Sequence, residues 1–110
     1  MRILIADDHP IVRRGLRQLL EENEKGRELV VGEAGNGKEV MEQIAASEFD
    51  VILLDISMPG RSGLDLLHDI KRIRPRTAIL ILSIYKEEQY AVRALKSGAS
   101  GYLTKDTAVS

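Results

Sequence analysis

The 110-residue chain has no cysteine, few aromatic residues and no long apolar run. Without cysteine, a disulfide framework, a thiolate metal site and a cysteine nucleophile are excluded. Apolar runs such as Val51–Leu54 and Ala78–Leu82 are far shorter than the ~20 residues that span a bilayer, so we expect no membrane partner. The amino terminus starts as a predicted strand and lacks the apolar segment of a signal peptide, which favours a cytoplasmic location.

Neither sign of charge dominates the chain. Sixteen Lys and Arg residues oppose 17 Asp and Glu residues, giving a formal net charge of −1. This balance excludes a polycationic surface, so we do not expect non-specific binding to nucleic acid or membranes. The 44% hydrophobic and 30% charged residues are ordinary for a globular protein, and the length suits a single domain over residues 1–110.

Five apolar runs alternate with amphipathic segments along the chain. The runs are continuous, as in strands that are covered on both faces, and they predict strands at Arg2–Ala6, Leu29–Gly32, Val51–Asp55, Ala78–Ser83 and Gly101–Thr104. Helix-start and helix-stop residues between them predict four helices, which begin near Pro10, Asn36, Ser62 and Lys86. The alternating order predicts an α/β fold, a doubly wound parallel sheet with helices on both faces.

Polar side chains occur where the predicted strands end, and ligands of open parallel sheets bind beyond these ends. The residues are Asp7, Asp8, Asp55, Ser83 and Lys105. If the first and third strands are neighbours, three carboxylates meet and repel one another unless a cation lies between them. Oxygen ligands favour a hard ion such as Mg²⁺, and a hydroxyl with an ammonium group would complete a phosphoryl pocket. A carboxylate can also be the nucleophile that becomes phosphorylated.

These residues and their surroundings resemble the receiver domain of bacterial response regulators over essentially the whole chain. The motifs that carry the resemblance are Leu4-Ile-Ala-Asp-Asp-His-Pro, Val51-Ile-Leu-Leu-Asp-Ile-Ser-Met-Pro-Gly, Leu82-Ser83 and Gly98-Ala-Ser-Gly-Tyr-Leu-Thr-Lys-Asp. The Asp-Asp-His-Pro start, Val31-Gly-Glu-Ala with Asn36-Gly37, and Lys-Asp in place of Lys-Pro are similar to the NarL/LuxR-type subfamily. The resemblance implies a flavodoxin-like five-stranded sheet with strand order 2-1-3-4-5.

The resemblance also implies a role for each acidic residue. Asp55 would accept a phosphoryl group from a sensor histidine kinase, while Asp7 and Asp8 would hold Mg²⁺. The backbone carbonyl of Ser57 would be a further metal ligand, together with Asp55 itself. The domain would then catalyse only the transfer of the phosphoryl group to itself and the hydrolysis of that group. It would not be an enzyme acting on an external substrate.

Three further residues would convert phosphorylation into a signal. Ser83 and Lys105 would contact the phosphoryl oxygens, and Tyr102 would change its rotamer on activation. The resemblance implies a helix-turn-helix output domain that regulates transcription and binds DNA, and that lies outside these 110 residues. DNA binding is therefore not assigned to residues 1–110.

Other functions compete with this interpretation. The segment Gly32-Glu-Ala-Gly-Asn-Gly-Lys38 has P-loop spacing, but Glu39 stands where a P-loop needs Ser or Thr, so we predict a turn and a helix cap. A Mg²⁺-dependent phosphatase would resemble D-x-D on the first strand, whereas Asp7 and Asp8 are contiguous. A binding module that only retains the fold is the third possibility. We assign His9 to the helix start and His68 to the solvent.

Residues after Lys105 look like the first turn of a fifth helix that does not continue. In a doubly wound sheet the first and fifth helices share one face, so a missing helix would expose an apolar strip of several hundred Å². We therefore expect a chain cut short before or within this helix, or a homodimer or exchange of elements that covers the strip.

Overall fold

The fold is known from a computed structural model that describes residues 1–23, 28–58, 62–83 and 88–104. The described strands and helices are β1 (Arg2–Ala6), α1 (Pro10–Asn23), β2 (Val30–Ala34), α2 (Gly37–Ala46), β3 (Val51–Asp55), α3 (Gly63–Ile73), β4 (Ala78–Ser83), α4 (Glu88–Lys96) and β5 (Gly101–Thr104). These elements confirm the predicted alternation. Each helix within the described residues is too short or too polar to cross a membrane.

The sheet is parallel throughout, with the strand order β2-β1-β3-β4-β5. This order confirms the doubly wound, flavodoxin-like architecture. It places β1 beside β3, at the point where successive strands begin to be added on the other side of β1. Ala6 pairs with Leu54, so the carboxyl ends of β1 and β3 are level. Residues that follow β1 therefore lie next to the residue that ends β3.

Only the second strand differs in its bounds from the prediction. It begins one residue later than expected and continues to Ala34, because residues 30–34 pair one by one with β1. The polar Glu33 interrupts the apolar run from which the strand was predicted. It nevertheless fits an edge strand, where a polar side chain can reach the surface. The extension brings Glu33 close to the carboxyl edge of the sheet.

Alternate side chains of the central strands form two separate cores. Leu4, Ile52 and Ile81 belong to the core that also contains residues of α2, α3 and α4. Ile5 and Leu53 belong to a second core on the opposite face, and α1 is the helix among the described elements that packs there. The predicted start of a fifth helix, after Lys105, lies outside the described residues.

Helices α1 and α4 each leave apolar side chains exposed. In α1, Leu16 is buried but Ile11 is 83% exposed. In α4, Ala94 is fully buried, whereas Val92 and Leu95 are exposed. Around the helix, Leu95 lies about 100° and Val92 about 160° from Ala94, so both side chains point away from the buried Ala94 side.

The loop before α2 is organised by two side-chain hydrogen bonds. The Asn36 Oδ1 atom accepts the Glu39 amide at 2.9 Å, which confirms the predicted helix cap. The Glu39 carboxylate accepts the Gly35 amide at 2.7 Å. Two amides that a P-loop would offer to a phosphate therefore already bind side-chain oxygens. This supports the predicted turn and argues against a nucleotide-binding site.

Helix α3 begins in close contact with the residue that follows β3. A Cβ atom at Gly63 would lie 2.6 Å from the Cα atom of Ile56 and 2.7 Å from its carbonyl oxygen. Real Cβ atoms do not approach backbone this closely, so only glycine fits here. The contact holds the turn after Asp55 against the helix.

We expect Gly63→Ala to lower the free energy of unfolding by about 1–3 kcal/mol, the usual cost of overpacking. Gly15→Ala is the control, because a Cβ atom there meets nothing within 4 Å and alanine favours helix. Urea unfolding measures both variants. Equal stability of the two variants would contradict the close contact.

Candidate functional site

Three aspartates and one histidine meet at the carboxyl edge of the sheet. Ligand atoms of Asp7, Asp8, His9 and Asp55 all lie within 4.8 Å of one another. The structure thus brings together the three carboxylates that the sequence placed at strand ends. Asp7 and Asp55 are fully buried, whereas the side chain of Asp8 is 29% exposed, so the cluster opens to solvent on one side.

The Asp7 carboxylate is oriented by the start of α1. Its Oδ1 atom accepts the His9 amide at 2.8 Å and lies 2.9 Å from the His9 Nδ1 atom. The same Nδ1 atom is 3.0 Å from the Oδ1 atom of Asp8. The backbone of His9 does begin the helix, since its carbonyl accepts the Arg13 amide. Assigning His9 to the helix start alone was incomplete, because sequence position does not reveal where the imidazole points.

Asp55 is the last residue of β3, and the turn that follows orients its side chain. The Ser57 amide donates to the Asp55 Oδ1 atom at 2.9 Å, as in an Asx turn. The Ile56 amide donates to the Leu82 carbonyl at 3.1 Å, which ties this turn to β4. The role of the Ser57 carbonyl as a metal ligand stays a prediction.

The two predicted switch residues lie on the neighbouring strands. Ser83 is fully buried at the end of β4, one residue beyond the Leu82 that pairs with Asp55. Tyr102 is half-buried on β5 and packs against the core that contains α4. Lys105, the predicted phosphoryl contact, lies outside the described residues.

Arg13 is a site residue that sequence reasoning missed. Its Nη1 atom donates to the Asp7 carbonyl oxygen at 2.5 Å, and its Nε atom donates to Glu33 at 3.0 Å. The only sequence signal was its place on the first turns of the helix that follows the aspartates, which does not distinguish it from a solvated arginine.

The donor set fits a hard divalent cation. Three carboxylates at this separation repel one another, and Mg²⁺ prefers carboxylate oxygens, water and phosphate as ligands. Oxygen atoms of Asp7, Asp8 and Asp55 would hold the ion at the open side of the cluster. The His9 imidazole, close to two of these carboxylates, would have to share them with the ion or turn away.

Comparison with known proteins decides the family. A model of the response regulator receiver domain matches residues 3–110. This chain belongs to that family. The nitrate/nitrite response regulator protein NarP of Escherichia coli is 42% identical over 106 residues, which are 96% of this chain and 48% of NarP. The chain spans about half the length of the curated relatives it matches.

Solved structures place the receiver domain in its subfamily. A signal receiver domain of NarL from Mycobacterium tuberculosis has 37% identity and a TM-score of 0.84, with coverage of 96% of this chain and 83% of that one. A response regulator from Burkholderia pseudomallei, solved with a phosphorylated aspartic acid, calcium ion and citrate, has 31% identity and a TM-score of 0.84, with coverage of 94% and 59%. The chain is thus a receiver domain of the NarL/LuxR type, a regulatory phosphoacceptor module and not a conventional enzyme.

We expect Mg²⁺ to raise the melting temperature of the receiver domain, because a ligand that binds only the folded state stabilises it by about 1.4 kcal/mol at ten times its Kd. Asp8→Asn should abolish this increase. Asp65→Asn, which removes the same charge from the exposed first turn of α3, should retain it. Thermal unfolding with and without millimolar Mg²⁺ is the measurement. If Mg²⁺ does not change the melting temperature of the wild type, the result would argue against the metal site.

Proposed function

We propose that this receiver domain is activated by phosphorylation of Asp55 from a sensor histidine kinase. The observation that carries the proposal is a buried carboxylate at the end of β3 within a cluster of two further carboxylates. A nucleophile needs a fixed orientation, and the Ser57 amide provides it for Asp55. The phosphorylated aspartic acid in the Burkholderia relative supports the same chemistry here.

In the transfer, an Asp55 carboxylate oxygen bonds to the phosphorus atom while the bond between phosphorus and the kinase histidine nitrogen breaks. The electron pair of that bond stays on the imidazole, and the product is an acyl phosphate on Asp55. Asp7, Asp8, Asp55 and the Ser57 carbonyl would hold Mg²⁺, which when bound would supply positive charge for the phosphoryl oxygens. We assign Lys105 a second positive charge for the same oxygens. Positioning and charge neutralisation are what phosphoryl transfer requires.

The signal would leave the site through Ser83 and Tyr102. Burial of Ser83 beside the end of β3 supports a contact between its hydroxyl and the phosphoryl group. Tyr102 pairs with Ile81 on the adjacent strand, so a shift at the end of β4 reaches it over a short distance. We propose that Ser83 moves toward the phosphoryl group and that Tyr102 turns inward, which changes the surface of α4 and β5.

In the full-length protein we propose that this switch controls a helix-turn-helix output domain that binds DNA and regulates transcription. The greater length of the curated relatives supports a second domain. We place this two-component pathway in the cytoplasm. We also propose a homodimer or an exchange of elements over the face of the sheet that α1 covers, because Leu19 of α1 and Leu103 of β5 are 37% exposed.

We expect a small phosphodonor with Mg²⁺ to add one phosphoryl group to the wild type and none to Asp55→Asn. Asp65→Asn controls for loss of a carboxylate elsewhere, and intact-mass analysis is the measurement. Unchanged stoichiometry in Asp55→Asn would overturn the acceptor. Turnover of an aryl phosphate would favour a phosphatase. A chain that binds no Mg²⁺ and accepts no phosphoryl group would be a module that only retains the fold.

We expect Ser83→Ala to accept the phosphoryl group but to weaken its effect on Tyr102, because the hydroxyl is the group that follows the phosphoryl oxygen. Ser57→Ala is the control, since it keeps the backbone groups of that turn. NMR signals of the Tyr102 ring, identified with Tyr102→Phe, are compared before and after phosphorylation. Equal shifts in wild type and Ser83→Ala would defeat the assignment.

A further inference from the structure

Arg13 connects three parts of the fold beside the acidic cluster. Its side chain is 20% exposed and extends from α1. The Nη1 atom donates to the Asp7 carbonyl at 2.5 Å, while the Nε atom donates to Glu33 Oε1 on β2 at 3.0 Å. A planar guanidinium donates to the two acceptors from two different nitrogens in a rigid fork, whereas an ammonium group has only one nitrogen.

The contact with Arg13 fixes the backbone of Asp7 from its second side. The Asp7 amide donates to the Ala34 carbonyl at 3.0 Å, and the Asp7 carbonyl accepts Arg13. Holding both groups restricts the peptide planes on either side of the Asp7 carboxylate. The guanidinium also lies close to the loop before α2, because a Cβ atom at Gly35 would be 3.4 Å from its Nη1 atom.

Arg17 provides a natural comparison one helical turn further along α1. It also binds Glu33, through Oε2, and it donates to the Val31 carbonyl at 3.2 Å and to Glu21 at 3.3 Å. These acceptors belong to β2 and to α1 itself, and none of them belongs to the loop that carries Asp7. Arg17 therefore shares the ion pair with Glu33 but not the contact with the acidic cluster.

We propose that Arg13 is a positioning residue for the metal and phosphoryl site, and that Glu33 orients its guanidinium. The inference rests on the proposed function, since it concerns how Asp7 is held for Mg²⁺. Two effects of Arg13 oppose each other. Its positive charge repels a bound cation, so charge alone predicts that removal of Arg13 strengthens Mg²⁺ binding. Positioning predicts the reverse, because a ligand that loses its support binds metal more weakly.

The test compares Arg13→Gln with Arg17→Gln, each of which removes one guanidinium that binds Glu33. We expect Arg13→Gln to raise the Kd for Mg²⁺ by about 10–100-fold, the usual effect of losing a residue that supports a metal ligand. Arg17→Gln should leave the Kd close to the wild-type value, because the contacts of Arg17 lie on β2 and α1 and not on the loop that carries Asp7. Calorimetric Mg²⁺ titration gives the Kd, and urea unfolding gives the stability of each variant. NMR shifts of the Asp7 and Asp8 amides without metal should change in Arg13→Gln alone.

The outcomes separate the two proposals. A wild type that does not bind Mg²⁺ would defeat the proposed function, whatever the variants do. A wild type that binds Mg²⁺, with equal Kd values for Arg13→Gln and Arg17→Gln, would overturn only the role of Arg13. Arg13→Lys keeps the charge and also serves if Arg13→Gln fails to fold. Weakened binding in Arg13→Lys supports positioning by the two-acceptor geometry, whereas a wild-type Kd would show that the fork is not required and overturn the inference.

Discussion

Three carboxylates held within 4.8 Å of one another are the constraint on which the rest of this domain depends. Two unit charges at that distance repel by about 3.5 kcal/mol at an effective dielectric constant of 20, which is a large fraction of a domain's net stability. The aspartates stay together because the chain gives them no room to separate. Asp7 and Asp55 sit at the ends of adjacent, buried central strands whose register is set by backbone hydrogen bonds.

The surroundings of the site add restraints that act on particular atoms. Gly63 brings α3 against the backbone of Ile56, and the Ser57 amide binds the Asp55 carboxylate. On the β1 side, the Ala34 carbonyl and the Arg13 guanidinium hold the two backbone groups of Asp7. These contacts restrain the base of the site beneath an open edge, which suits the cation and phosphoryl binding that we propose.

The switch that we propose needs residues that can move, and the structure places them away from the restrained residues around Asp7. Ser83 and Tyr102 lie on β4 and β5, away from the β1–β2 side of the sheet that holds Asp7. Among the α4 residues whose side chains are described, Ala94 is buried, whereas Val92 and Leu95 are exposed. These exposed apolar side chains lie on the surface that we propose to respond to phosphorylation.

The sequence by itself determined the features that depend on neighbouring residues along the chain. Apolar runs located the strands, Asn36 marked the start of α2 through its cap, and the aspartates could be placed at strand ends. Strand order came from the resemblance to receiver domains, since alternation alone does not specify it. Only the tertiary structure decided which side chains meet. The contact of Arg13 with the Asp7 carbonyl depends on how α1 lies beside the strands, and the polar end of β2 depends on its pairing with β1. Packing between distant segments sets both.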